Sequence, residues 1–193
     1  MDIIILDKIA FNAPLGMFAE RMRLQKRPAL LREVEELLAE AKRIARPRVM
    51  FGEAAVESLG ENDVQIGGRT FHSSALRQTL AGRTRVFPAV ATCGTELAAW
   101  AEEKTGMFTR FSAEAICEAA MAAAQAAMAE YVAAQWGAAR ITYILPGTLD
   151  WPLEEQEKIF ALLEGGEAIG VQLTPQGTMR PVKTVSALYY ETD

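Results

Sequence analysis

RITYILPGTLDWPLEEQEKIFALLEGG, residues 140–166, places a strand, a loop and a helix in immediate succession. Arg140 to Leu145 carries β-branched and aromatic side chains and reads as a strand. Pro146-Gly147-Thr148-Leu149-Asp150 is the loop that leaves it. Pro152, Glu154 and Glu155 open a helix ending near Leu163, because proline is tolerated in a first turn and carboxylates there complement the helix dipole. Gly165 and Gly166 close it. After this unit the chain reads as strand Ile169–Leu173, a turn at Pro175–Gly177 and strand Val185–Tyr190, two strands with no helix between them.

Upstream, Leu30, Leu31, Val34, Leu37, Leu38, Ala41 and Ile44 recur at three- and four-residue steps from Pro28 to Ala45, the pattern of an amphipathic helix that Pro47 ends. Arg48–Gly52 then reads as a strand. Val64 and Ile66 alternate before Gly67-Gly68, which predicts a hairpin with both glycines at positive φ. Ser73 or Ser74 caps a short helix running to Leu80, with Gly82 past its end.

Arg85–Ala91 is a buried strand, placed near an edge because of Pro88. Thr92-Cys93-Gly94-Thr95 is a tight turn into a helix, with Thr95 as its expected cap. A long helix follows from Ser112 to about Trp136. Of the 22 residues from Ala113 to Ala134, 12 are alanine, which favours helix and lets neighbouring backbones approach closely. Strands and helices mix without strict βαβ alternation, predicting an α+β fold with a largely antiparallel sheet flanked by helices. No repeat or linker divides residues 1–193, so one domain is expected.

Composition narrows the function classes. A net charge of -5 supplies no general field for phosphate backbones, so nucleic acid is not an expected partner. The start, MDIIILDKIAF, lacks a basic segment and a long apolar run, and the alanine-rich stretch is too weakly hydrophobic to span a bilayer. The expectation is a cytoplasmic protein without a membrane partner. Neither Cys93 nor Cys117 sits in a C-x-x-C pair, and His72 is the single histidine, so no metal site is expected. No dinucleotide fingerprint, P-loop or nucleophile elbow occurs, and His72 has no acidic orienter nearby in sequence.

The densest candidate site is Tyr143 to Pro152. Backbone amides at a helix start can hold a carboxylate, Asp150 can accept from an amine or hydroxyl, and Trp151 offers a ring face to a cation. Equally, Asp150 can simply cap the helix and Trp151 can simply pack in the core.

Residues 146–190 resemble the C-terminal part of the activation domain of cobalamin-dependent methionine synthase. The features that carry the resemblance are Pro146-Gly147, the pair Leu162-Leu163, the run Ile169-Gly170-Val171-Gln172-Leu173-Thr174 and the strand start Val185-Ser186-Ala187. The upstream half is similar to small stand-alone members in the helix 28–45, the hairpin 63–71, Leu76, Leu80 and Gly82, and the turn Thr92 to Leu97. The resemblance implies the activation-domain fold and a module that binds S-adenosylmethionine and docks on a corrinoid protein or cobalamin-dependent methyltransferase. There, cob(II)alamin reduced by an electron donor protein is trapped by methylation.

Cobalamin would come only with that partner, since the chain has no D-x-H-x-x-G pattern of a corrinoid carrier. The implied ligand contacts are Tyr143, Pro146, Gly147, Thr148, Asp150, Trp151 and Tyr189, with the Thr92–Thr95 turn lining the pocket. The family's Arg-x-x-x-Gly-Tyr loop aligns with Tyr143, Gly147 and Thr148, so the Arg that pairs with the methionine carboxylate is replaced. A family acidic residue falls at Ala122, with Glu118 and Glu114 one and two turns earlier. Two other readings stand beside this one: a corrinoid-protein scaffold that has lost the ligand, and a methyltransferase using Glu114, Glu118 or Asp150 as base. No catalytic residue is assigned.

Overall fold

A computed structural model describes residues 1–137 and 140–192. Its strands are β1 (Ile3–Leu6), β2 (Arg48–Gly52), β3 (Ala54–Leu59), β4 (Asp63–Ile66), β5 (Arg69–His72), β6 (Arg85–Thr92), β7 (Ile141–Ile144), β8 (Gln172–Leu173), β9 (Met179–Arg180) and β10 (Thr184–Glu191). Its α-helices are α1 (Leu15–Arg21), α2 (Pro28–Ile44), α3 (Ser74–Thr79), α4 (Thr95–Glu102), α5 (Met107–Trp136) and α6 (Gln156–Leu162). Among the described residues eight strands form one curled sheet, each pairing antiparallel, and β8–β9 form a small separate ribbon. The α+β reading with a largely antiparallel sheet therefore holds.

Strand alternation explains the layering. Val49, Phe51, Phe87, Ala89, Ala187 and Tyr189 point to one face, where they pack under Ala124, Met128 and Val132 of α5. Met50, Val86, Val90 and Leu188 point to the other, under Ile159 and Phe160 of α6 and Leu76 of α3. A third cluster joins α1, α2, α4 and the first half of α5 on the outer side. The alanines of α5 allow its close approach to β2 and β6.

Three local expectations are corrected. Pro88 does not mark an edge: β6 lies inside the sheet between β10 on one side and β2 and β3 on the other. Proline is tolerated because that second side changes partner there, with β2 opposite Ala89–Thr92 and β3 opposite Arg85–Val86. Helix α5 starts at Met107, not Ser112, whose hydroxyl instead donates to the Phe108 carbonyl within the second turn. The cap of α4 is Gly94 at φ 90°, not Thr95. A Cβ there would meet the Arg46 carbonyl oxygen, so only glycine fits the turn.

The hairpin β4–β5 turns at Gly67 and Gly68 with φ of 53° and 74°, and Ser73 caps α3 by accepting from the Leu76 N–H, both as the residues indicate. Ile169–Leu173 is a strand only at Gln172–Leu173, preceded by a 3₁₀ turn over Glu167–Ile169. The helix expected from Pro152 starts as a 3₁₀ turn, Leu153–Glu155, before α6.

Candidate ligand-binding face

Among the described residues strand β7 pairs with β10 alone, and its other edge is open. Tyr143 stands directly opposite Tyr189 in the register, so both rings project on the face covered by α5. Their centroids lie 5.1 Å apart at 46°. Tyr143 is 47% exposed, whereas Tyr189 is buried beneath α5, where its hydroxyl accepts from Gln125 Nε2 at 2.7 Å. Burial pushes the Tyr189 hydroxyl up to about 12, so it stays protonated and neutral under physiological conditions. Gln125 enters the site from a helix whose sequence gave no sign of it, since only the packing of α5 on β10 brings it there.

The loop after β7 is held by its own backbone. The Gly147 N–H donates to the Trp151 carbonyl at 2.8 Å, Thr148 N–H to the Leu145 carbonyl at 3.2 Å, and Trp151 N–H to the Thr148 carbonyl at 3.0 Å. The Thr148 hydroxyl also donates to Leu145. Gly147 takes φ 83°, which a branched residue tolerates poorly, and an added Cβ would press on Leu153 Cδ1 at 3.3 Å. Pro146 is buried as the chain leaves the sheet. What the loop presents outward is Leu149, 83% exposed, the bare backbone of Gly147 and the exposed Asp150.

Trp151 faces inward, and the exposed Asp150 spends its carboxylate on the protein itself. The Asp150 carboxylate accepts from the Ser73 hydroxyl, from Ser74 N–H at 2.8 Å and from Ala75 N–H at 3.1 Å, capping the start of α3. Those donors hold its carboxyl below the ordinary value, the Ser73 hydroxyl contributing most. Trp151 is 1% exposed in the core shared with α6, and its ring meets Phe71 edge-on at 5.9 Å. Its Nε1–H donates to Glu155 at 3.0 Å.

Glu155 is a hub that sequence reading missed. It accepts both Trp151 and the backbone N–H of His72, and it pairs with His72 Nδ1 at 2.9 Å and Lys158 Nζ at 2.6 Å. Burial pushes its carboxyl up, but Lys158, His72 and Trp151 together outweigh that and hold it below the usual value. His72 therefore has an acidic orienter after all, one that lies far away in the chain. An aromatic and a carboxylate at a helix start are the only signals from which it could have been found.

The other candidate carboxylates are also paired. Glu118 binds Arg21 at 2.6 Å, and Glu114 approaches Arg110 at 3.4 Å. The Thr92–Thr95 turn lies five residues along β10 from Tyr189, because Thr92 registers with Thr184. At about 3.4 Å per residue that is roughly 17 Å, so turn and tyrosine pair occupy opposite ends of the strand. Among the described residues no group of three or more His, Cys, Asp or Glu is placed to hold a metal ion, and no helix is long and apolar enough to cross a membrane.

The role of Asp150 has a direct consequence. A depressed folded-state carboxyl contributes stability that is complete above the ordinary value of 3.8 and is lost as pH falls through the folded-state value. Asp150→Ala is expected to lower the thermal midpoint at pH 7, and the gap from the unmodified protein is expected to close below pH 4. Paired melts across pH 3–7, followed by circular dichroism, measure it. A gap independent of pH would show that the carboxylate does not cap α3.

No family model and no curated protein sequence matches the chain. Among solved structures it is similar to the MetH reactivation domain bound to AdoHcy, with a TM-score of 0.66 and 15% sequence identity, over 99% of this chain and 78% of that one. That domain and this one share the antiparallel sheet curled between helices, so the chain has the fold of the MetH reactivation domain.

Proposed function

We propose that the protein is an S-adenosylmethionine-binding accessory module that serves the reductive reactivation, by remethylation, of a corrinoid or cobalamin-dependent methyltransferase. The observation that carries this reading is the fold itself: nearly the whole chain follows a domain crystallised with AdoHcy. The face between α5 and the open β7 edge suits such a ligand. The exposed Tyr143 ring offers a face to a purine or a sulfonium cation, and Tyr189, held by Gln125, fixes that ring from below. In this reading the exposed Tyr143 ring meets the ligand and the buried Tyr189 backs that ring, Pro146, Gly147 and Thr148 shape the wall beside it, and Asp150 and Trp151 hold that wall in place. Cobalamin belongs to the partner, whose cofactor supplies the methyl-transfer chemistry.

One observation favours a second reading, a corrinoid-protein scaffold without a ligand. The N–H groups of Gly147, Thr148 and Trp151 are all taken within the loop, and position 143 carries no cation to meet a carboxylate.

Calorimetric titration with S-adenosylmethionine separates the two. Binding tighter than roughly 100 μM, about 5.5 kcal/mol, is expected, weakened about tenfold by Tyr143→Ala. That exposed edge residue is a better probe than Gly147→Val, which would strain the loop whether or not a ligand binds there. No heat and no thermal shift at millimolar ligand would leave the scaffold as the better account.

A further inference from the structure

The two cysteines of the chain converge, although they come from different elements. Cys93 lies in the turn between β6 and α4 and Cys117 lies on α5, and both are free and buried. Both lean on the start of α4: Cys93 Sγ is 3.5 Å from the Gly94 carbonyl oxygen and Cys117 Sγ is 3.6 Å from that of Leu97. Both also line one cavity of about 210 Å³, whose charged lining is Arg110 and Lys183 against Glu102 and Glu114. That volume is below the roughly 300–1,000 Å³ of sites that enclose drug-sized ligands, so the cavity suits a small molecule or one end of a larger one.

Lys183 is tied to the pair. Its carbonyl accepts the Cys93 N–H at 3.1 Å, and its ammonium forms no ion pair among the described residues. Arg110, by contrast, already faces Glu114. The two thiols are consequently unequal. Cys93 is held below its ordinary value, first by the neighbouring Cys117 thiol, with the Lys183 charge adding to it against burial. Cys117 is pushed up by Cys93 and by burial. An attacking thiol with a stabilised thiolate beside a protonated one is the arrangement that dithiol exchange needs. A buried cysteine serving only as a small hydrophobe needs neither the cavity nor the lysine.

We propose that Cys93 and Cys117 form an oxidisable dithiol that exchanges with small-molecule disulfides entering this cavity, Cys93 attacking and Cys117 resolving. The Cys93 thiolate attacks one sulfur of the disulfide, the mixed disulfide forms, and the other sulfur leaves as a thiolate that takes up a proton. Cys117 then loses its proton to solvent and attacks Cys93 Sγ, releasing the second small thiol. Two protein thiols are oxidised by two electrons, and one disulfide is reduced to two thiols. The new bond staples the β6–α4 turn to α5.

The test is to incubate the reduced protein with oxidised glutathione at pH 8, quench with acid, unfold it in N-ethylmaleimide and weigh the intact chain. The expected product has lost two hydrogens, takes up no maleimide and yields one cross-linked pair of peptides containing Cys93 and Cys117. Cys117→Ser is expected to stop with one glutathione on Cys93. Lys183→Gln is expected to slow the reaction on the order of tenfold and to move its pH profile upward, with an unchanged thermal midpoint. Two maleimides on the native chain, or a glutathione adduct that persists with Cys117 present, would overturn the proposal. So would an oxidation rate equal to the rate of global unfolding across a denaturant series. These readouts need no S-adenosylmethionine, so the outcome is separate from that of the ligand-binding reading.

Discussion

Trp151→Ala is expected to lower folding stability by about 3–5 kcal/mol, as for other buried tryptophans cut back to a methyl group. The side chain is 1% exposed and joins Phe71 of β5 to Ile159 and Phe160 of α6 through one core cluster. Its loss removes that packing and also a donor to Glu155, whose buried carboxylate must then rely on His72 and Lys158. For a domain of this size each kcal/mol moves the midpoint by about 2–4 °C, so a fall of roughly 6–20 °C is expected. Trp151→Phe retains most of the ring and is expected to lose only about 1–3 kcal/mol, the cost of the missing hydrogen bond. Urea unfolding of the three proteins measures both. If Trp151→Ala unfolded at the unmodified midpoint while ligand binding vanished, Trp151 would belong to the ligand face and not to the core.

Tyr143→Arg is expected to tighten S-adenosylmethionine binding at least tenfold. The position is exposed on the free edge of β7, directly opposite Tyr189. A guanidinium there would supply a bidentate fork for the ligand carboxylate, as the sequence resemblance implies. Each hydrogen bond to a charged group contributes about 1.5–3 kcal/mol, and 1.4 kcal/mol is tenfold in affinity. The gain should shrink as salt is raised, and the melting midpoint should move little, because Tyr143 is 47% exposed and what the change removes is one ring contact, with Tyr189. Calorimetry at two salt concentrations reads both. An arginine that leaves affinity unchanged would place the ligand carboxylate elsewhere on the domain and count against the site drawn at β7.

The arrangement of paired groups bears on the enzymatic alternative. Glu114, Glu118 and Asp150 each already hold a partner, an arginine or the start of α3. The carboxyl of Asp150 is held below its ordinary value, chiefly by the Ser73 hydroxyl, the opposite of what a general base near neutral pH would gain from. The geometry therefore lends more to binding than to proton transfer.

Much of the secondary structure was readable because it depends on near neighbours. The α2 stripe, the Gly67-Gly68 turn, the Ser73 cap and the alanine-rich α5 each follow from residues within one or two turns of each other. Short elements were less readable. β1, α1 and β3 are not legible in the sequence, because four to seven residues carry too little periodicity to declare a type without their partners.

Residue chemistry at the loop was legible as a set of alternatives and no further. Asp150 as a cap was foreseeable, but not that it would cap α3, since the helix it serves begins 76 residues earlier at Ser74. Likewise Trp151 was recognisable as either ring face or core, and burial decided it.

By itself the sequence determined the fold class, the single long alanine helix, the strand–loop–helix unit and the absence of familiar nucleotide or hydrolase motifs, because these depend on composition and local spacing. Only the tertiary structure decided which side chains meet: Gln125 with Tyr189, Glu155 with His72, Asp150 with Ser73, and Cys93 with Cys117 in one cavity. The physical reason is that a hydrogen bond or a shared cavity acts over a few ångströms of space. Residues far apart in the chain come within that range only once the sheet has curled and α5 has packed upon it.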